Sequence, residues 1–337
     1  MDLVTEYLKL GLRFNRVVDG FVDAYTGDPA LARQVADEPA PVPLELSKRA
    51  AELSAAVADT DLGLGVRDRD LGGRDSGPAR AAFLTAHLDA LAVAARRLAG
   101  EPMSFIDEVR SYFQVSIEEV DTEVYAATHR EISEILGGSG PLGQRLAAVR
   151  LAETCPPELV EDAVRAVAAA LRERVTGPTG LAALPEHIDF EIARDVAWSG
   201  FNFYLGGFRS RVAVNADIGH RMSQFGVLVA HECYPGHHTE HCRKEDLLVK
   251  RGGQAEHTIF LVNTPQCLMA EGLGDLALTV AVGPGWGRWL ADVLDGIGPT
   301  FDPDLVEALE VASRPLNTVR QNAAIMLHDR GADPEDV

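Results

Sequence analysis

"HECYPGHHTEH", residues 231–241, holds four histidines and two glutamates in eleven positions. It opens like the zinc motif H-E-x-x-H, in which two histidines one helical turn apart share a metal and the glutamate beside the first acts as base. The fourth position after His231 is Pro235, so the motif is either interrupted or of another kind. The run before it, "SQFGVLVA" (223–230), is apolar, and His231 and Glu232 arrive at the end of a helix that reads as buried. Burying an imidazole and a carboxylate is costly, and a divalent cation compensates that cost.

Pro235 has no N–H to offer the carbonyl of His231 and its ring crowds that carbonyl, while Gly236 relaxes the backbone. A kink or bulge is expected between the histidines. On a straight helix, at roughly 100° per residue, His238 lies nearly over His231 and His237 points away. With two residues looped out, His237 takes the place of the second histidine. The expectation is His231 and His237 as ligands, with His238 as the substitute.

A catalytic zinc site needs a third protein ligand and an open fourth position. "NTPQCLMAEGLGDLALTV" (263–280) predicts a helix with Thr264 as cap and Pro265 at its first position, and with Leu268, Met269, Leu273, Leu276 and Ala277 facing one way. Glu271 is its candidate ligand. Asp275, four residues on and on the same face, is the candidate hydrogen-bond partner of a ligand histidine. Glu232 is then the base that takes a proton from water attacking an amide carbonyl. The rival within the same letters is the inverted motif H-x-x-E-H, spelled by His237, Glu240 and His241. It leaves His231 and Glu232 without a task. A di-iron bundle needs two Glu-x-x-His pairs, and the sequence contains none.

Just before the motif, "NFYLGGFRSRVAVNADIG" (202–219) alternates from Phe208 to Asn215 and predicts one short strand beside the motif helix. Arg209 and Arg211 on it are candidates to hold a substrate carboxylate bidentately. Tyr234, His238 and His328 are the candidate groups for stabilising an oxyanion, Tyr234 also as a substrate contact.

The rest of the chain reads as helices. Residues 1–25 carry apolar positions at spacings of three and four, further helices are expected around 47–58 and 78–98, and four or five more span 102–200. Ser116 with Glu119 forms a capping box, and Thr154 before two prolines is a second helix start. No strand is expected before Gly200. The glycine- and charge-rich stretch 60–77 matches no phosphate loop and reads as a surface loop. The fold class expected is mainly α, as one continuous domain with a covering helical part at 1–200 and a metal-site part at 201–337. "RGADPEDV" ends the chain on helix-start signals, which suggests a truncated C-terminus.

A net charge of −20, from 51 acidic against 31 basic residues, repels phosphate backbones and anionic lipid, so nucleic acid and membrane are not expected partners. Four cysteines without C-x-x-C spacing, and an N-terminus unlike a secretory signal, point to a reduced, cytoplasmic setting. The partners expected are a peptide or small amide substrate and, in a homodimer, a second copy of the chain.

"HECYPGHH" followed by a helix opening "EGLGDLA" resembles the bacterial family labelled domain of unknown function 885, with its H-E-x-x-P-G-H-H motif and downstream E-G helix. "RQNAAIMLHDRG" (320–331) is similar to that family's C-terminal segment. The family is similar in fold to carboxypeptidase Taq type metallopeptidases, whose H-E-x-G-H motif aligns with Gly236 and His237. The resemblance covers about residues 202–331. It implies a helical zinc-metallopeptidase-like domain with one Zn2+ per chain; with Glu232 as base, the expected reaction is carboxypeptidase-like hydrolysis of a peptide or small amide substrate, the alternative being an inactive or binding-only helical relative with a structural metal.

Overall fold

The computed structural model describes residues 2–60, 77–335 and 337. The glycine-rich stretch at 60–77 therefore lies outside the described residues except for its ends. The chain is mainly α-helical with small sheets. It forms two compact units that interleave in sequence instead of dividing at residue 200. The first comprises Met1–Ile117, Tyr204–Phe208 and His241–Glu271; the second comprises Glu118–Phe203, Arg209–Glu240 and Gly272–Val337.

The first unit contains α1 (Leu3–Asn15), β1 (Val22–Tyr25), α2 (Pro29–Ala36), α3 (Pro43–Asp59), α4 (Gly77–Leu98), α5 (Phe105–Phe113) and, late in the chain, β5 (Ile259–Leu261). Tyr7, Leu10 and Phe14 on one face of α1 are buried with Leu53 of α3 and Leu84, Leu88 and Leu91 of α4. The first helix stops at Asn15, not near residue 25. Asn15 Oδ1 accepts the Val22 N–H, Phe21 stacks on Phe14, and β1 pairs antiparallel with β5. The later apolar residues thus reach the same core from a turn and a strand.

The remaining elements are α6 (Thr122–Leu136), α7 (Leu142–Ala152), α8 (Val160–Thr179), β2 (His187–Ala193), β3 (Gly200–Gly206), β4 (Arg209–Asn215), α9 (Gln224–Glu232), α10 (His237–Lys244), α11 (Pro265–Ala281), α12 (Trp286–Val293), α13 (Pro303–Ser313) and α14 (Val319–His328). The second unit is organised on α8, whose Val160, Val164, Val167, Leu171 and Val175 recur at three and four residues and are buried. Both α9 and β2 pack on it. Ser116 and Glu119 do not cap a helix: α6 starts later, where Asp121 accepts the Glu123 N–H. Thr154 likewise sits in a β-bridge with Arg221 instead of opening α8.

Strands before Gly200 do exist, contrary to expectation. In β2, Ile188, Phe190 and Ile192 alternate with His187, Asp189 and Glu191, and the strand pairs parallel to β4 in the sheet order β2-β4-β3. The predicted strand is β4, beginning at Arg209. Phe208 belongs to the turn before it, at φ +62°.

On α11 four of the five apolar residues expected to share a face do so, and that face is outward, while Ala277 lies on the buried side. Leu268, Met269, Leu273, Leu276 and Val280 are exposed, while Ala270, Ala277 and Leu278 are buried. Among the described residues no single helix is long and apolar enough to cross a membrane; α11 and α12 reach that length only together, across an 82° bend.

Candidate metal centre

The helix α9 ends at Glu232, and Cys233 leaves helical conformation at φ −115°, ψ −89°. Gly236 N–H then bonds to the Ala230 carbonyl at 2.9 Å and Thr239 N–H to the Cys233 carbonyl at 3.3 Å. Each bond spans six residues where an α-helix spans four, so two extra residues are accommodated at the break. Glycine is required there, because a Cβ on Gly236 would fall 1.8 Å from the His231 carbonyl oxygen. The helix resumes as α10, with Glu240 N–H bonded to the Gly236 carbonyl.

The break brings the rings of His231 and His237 to 4.5 Å between centroids, nearly perpendicular. Their ligand atoms and that of Glu271 lie within 4.8 Å of one another. Glu271, Gly274 and Asp275 follow one another at helical spacing on one face of α11. Asp275 Oδ1 stands 3.4 Å from His231 Nδ1. A carboxylate beside one nitrogen is the usual support of a histidine that binds a metal through the other. Gly274 is the close-approach point: a Cβ there would meet the His231 ring at 2.7 Å.

These residues fit a divalent cation. Two imidazoles and one carboxylate are the donor types of catalytic zinc sites. The spread of 4.8 Å is wider than the ~3.4 Å between donors of a tetrahedral ion with ~2.1 Å bonds. Glu271 is exposed, so its rotamer has room to close that gap. No second such group occurs among the described residues, and His237, Glu240 and His241 do not form one. His241 instead stacks on Tyr204, with ring centroids 4.6 Å apart.

His238 takes no part in the trio. It is fully buried, with Nδ1 at 2.8 Å from Ser210 Oγ and Nε2 at 3.1 Å from Glu186 Oε2. Glu186 also accepts the Tyr234 hydroxyl at 2.7 Å and Arg172 Nε at 2.6 Å. Burial alone would raise the Glu186 pKa, but the hydrogen bonds from His238, Tyr234 and Arg172 outweigh it and hold the carboxyl at about 2. Burial and the Glu186 carboxylate push the Tyr234 phenol up. His238 and Tyr234, expected at the substrate, are engaged in this network, which ties down the segment between His231 and His237. Ser210, His238 and Glu186 superficially resemble a nucleophile triad, but Ser210 and His238 are both 0 % exposed and neither lines the cavity beside His231.

The expected carboxylate-binding arginines are also engaged. Arg209 pairs with Asp189 at 2.9 Å and Arg211 with Glu191 at 2.8 Å, both across the β2–β4 pair. Arg211 further lies 4.2 Å above the Phe203 ring. His328 is the exposed last residue of α14.

Glu232 is buried, and its backbone carbonyl accepts Asn202 Nδ2 at 2.6 Å. Together with His231 it lines a cavity of about 430 Å³ inside the second unit. The cavity wall includes one face of α9, Trp286 of α12, Val306 and Glu310 of α13, and Arg150, Glu153 and Arg221. Four contributors escaped sequence reasoning: Glu186, Asn202, Gly274 and Glu153. Only Gly274 carried a local signal, as the second glycine of "EGLGD" on a helix. Comparison of the chain with family models, with curated proteins and with solved structures returns no match.

Proposed function

We propose that the protein is a zinc-dependent hydrolase of peptide or small amide bonds, related to the domain of unknown function 885 family and its metallopeptidase-like fold. The observation that carries this reading is the convergence of His231, His237 and Glu271 beside a cavity that Glu232 also lines. A zinc ion bound at this donor set would supply a Lewis acid able to lower the pKa of water toward neutrality. His231, His237 and Glu271 would hold the ion, with Asp275 beside His231 supporting its ring. Glu232 accepts the proton of the attacking water and passes it to the leaving nitrogen. A site that only clamped the fold would need the histidines but no base beside them. Arg209 and Arg211, tied to Asp189 and Glu191, lend no support to capture of a terminal carboxylate.

The test is metal analysis paired with a screen of blocked and unblocked dipeptides. About one equivalent of zinc is expected. Glu232→Gln should keep the zinc and lose hydrolysis by roughly 10²–10⁴-fold. Absence of metal from both native and zinc-reconstituted protein would sink the reading.

A further inference from the structure

The cavity beside His231 and Glu232 has a second end with chemistry of its own. Along α9 it is lined by Ser223, Gln224, Val227, Leu228, His231 and Glu232, pairs that recur every four residues, so it follows one helix face. Eight steps of 1.5 Å from Ser223 to His231 make that face roughly 12 Å long. At the Ser223 end lies Glu153, 2 % exposed. Its Oε2 accepts the Ser223 N–H at 3.2 Å, which places the carboxylate at the start of α9. Its Oε1 is buried and has no hydrogen-bond donor among the described residues. The Arg221 guanidinium stands 3.6 Å away, an ion-pair distance but too long for a hydrogen bond.

A carboxylate oxygen only accepts, so the group that satisfies Oε1 must be a donor, and a charged donor makes the stronger bond. The surroundings favour a cation. Glu153, Glu232 and Glu310 line the cavity against Arg150 and Arg221, and the chain as a whole carries −20. We propose that Glu153 is a substrate-binding residue that takes a positively charged N–H group of an extended substrate, while the bond to be cleaved lies at the His231–Glu232 end. The proposal rests on the hydrolytic reading of that end. At ~3.3–3.6 Å per extended residue, three or four residues of peptide bridge the two ends. The cationic group is then the α-ammonium of a short peptide or a Lys or Arg side chain near its start.

The test uses the inactive Glu232→Gln protein loaded with zinc and titration calorimetry with four probes: tetra-alanine, its N-acetylated form, its C-amidated form, and N-acetyl-Lys-Ala-Ala-Ala. Free tetra-alanine should bind about tenfold or more tighter than the acetylated form, the range of a charge-assisted hydrogen bond. Adding Glu153→Gln should reduce that ratio to about twofold or less. If the lysine peptide recovers the binding, the side chain is the group read; if it does not, the α-ammonium is. Because Glu153 also caps α9, loss of melting temperature alone is a structural effect, and the acetylation ratio is the deciding readout. The proposal is overturned if that ratio survives Glu153→Gln, if amidation and not acetylation costs affinity, or if no peptide binds. Zinc content and hydrolysis of blocked dipeptides by the unsubstituted protein report separately on the hydrolytic reading.

Discussion

His237 and His238 are neighbours in sequence with opposite surroundings. His237 faces His231 across the helix break, its donor atom grouped with those of His231 and Glu271. His238 turns into the interior, where Ser210 and Glu186 hold both its nitrogens. A histidine with both nitrogens hydrogen-bonded in the interior rigidifies; one beside another imidazole and a carboxylate stands among the donor types that bind metals. The pair shows that the residue type alone does not define a ligand. What defines it is which partners the fold delivers to each ring.

That contrast is open to direct attack. His237→Ala should weaken zinc binding by about a hundredfold or more while leaving the stability of the zinc-free protein nearly unchanged, and His238→Ala should do the reverse, retaining zinc but losing about 3–5 kcal/mol. Metal analysis and chemical denaturation of the two variants read this out, and exchanged phenotypes would invert the assignment.

Glu186→Gln tests the network without emptying it. It should cost about 2–3 kcal/mol by removing charge-assisted bonds, again with zinc retained. Its pH dependence has a definite sign. Glu186 is held at about 2, below its ordinary 4.5, so its contribution is complete above pH 4.5 and is lost as pH falls toward 2. The stability gap between the unsubstituted protein and Glu186→Gln, followed by denaturant titration, should be flat above pH 4.5 and close below it. Zinc leaves on milder acidification, since its ligands must be deprotonated. A gap that closes together with zinc loss would mean that network and trio are one unit.

Two smaller changes sharpen the ligand side. Gly274→Ala drives a methyl group into the His231 ring and should cost ten- to a hundredfold in zinc affinity, roughly the range for disturbing a ligand's support. Asp275→Asn should cost about tenfold, the low end of that range, because Asp275 is exposed and its contact to His231 is long. Competition with a chromophoric chelator measures both. An Asp275→Asn loss exceeding that of Gly274→Ala would make the carboxylate, not the close helix approach, the main support.

Legibility in the sequence followed the range of the forces involved. The helix break at Pro235–Gly236 was legible because its cause is a missing N–H and a steric clash within a few residues. The α11 start at Thr264–Pro265 and the shared face of Glu271 and Asp275 were legible for the same reason. β2 was missed although Ile188, Phe190 and Ile192 alternate with charged residues. Its pattern is short, and it reads as a strand only once β4 supplies its partner. The apolar face of α11 was seen but its direction was not, since periodicity tells which residues share a side and not what covers it.

By itself the sequence determined the helical class, the two-residue insertion in the motif and the grouping of His231, Glu232 and Glu271 as the residues of interest. These rest on local sterics, periodicity and the cost of burying polar groups. Only the tertiary structure grouped His237, and not His238, with His231 and Glu271, because the partners that hold His238, Ser210 and Glu186, lie 28 and 52 residues from it and arrive through β4 and the segment before β2. It likewise turned Arg209 and Arg211 from substrate candidates into partners of Asp189 and Glu191. A side chain's chemistry is local, but its partners are chosen by strand register and helix packing, and these draw on the whole chain.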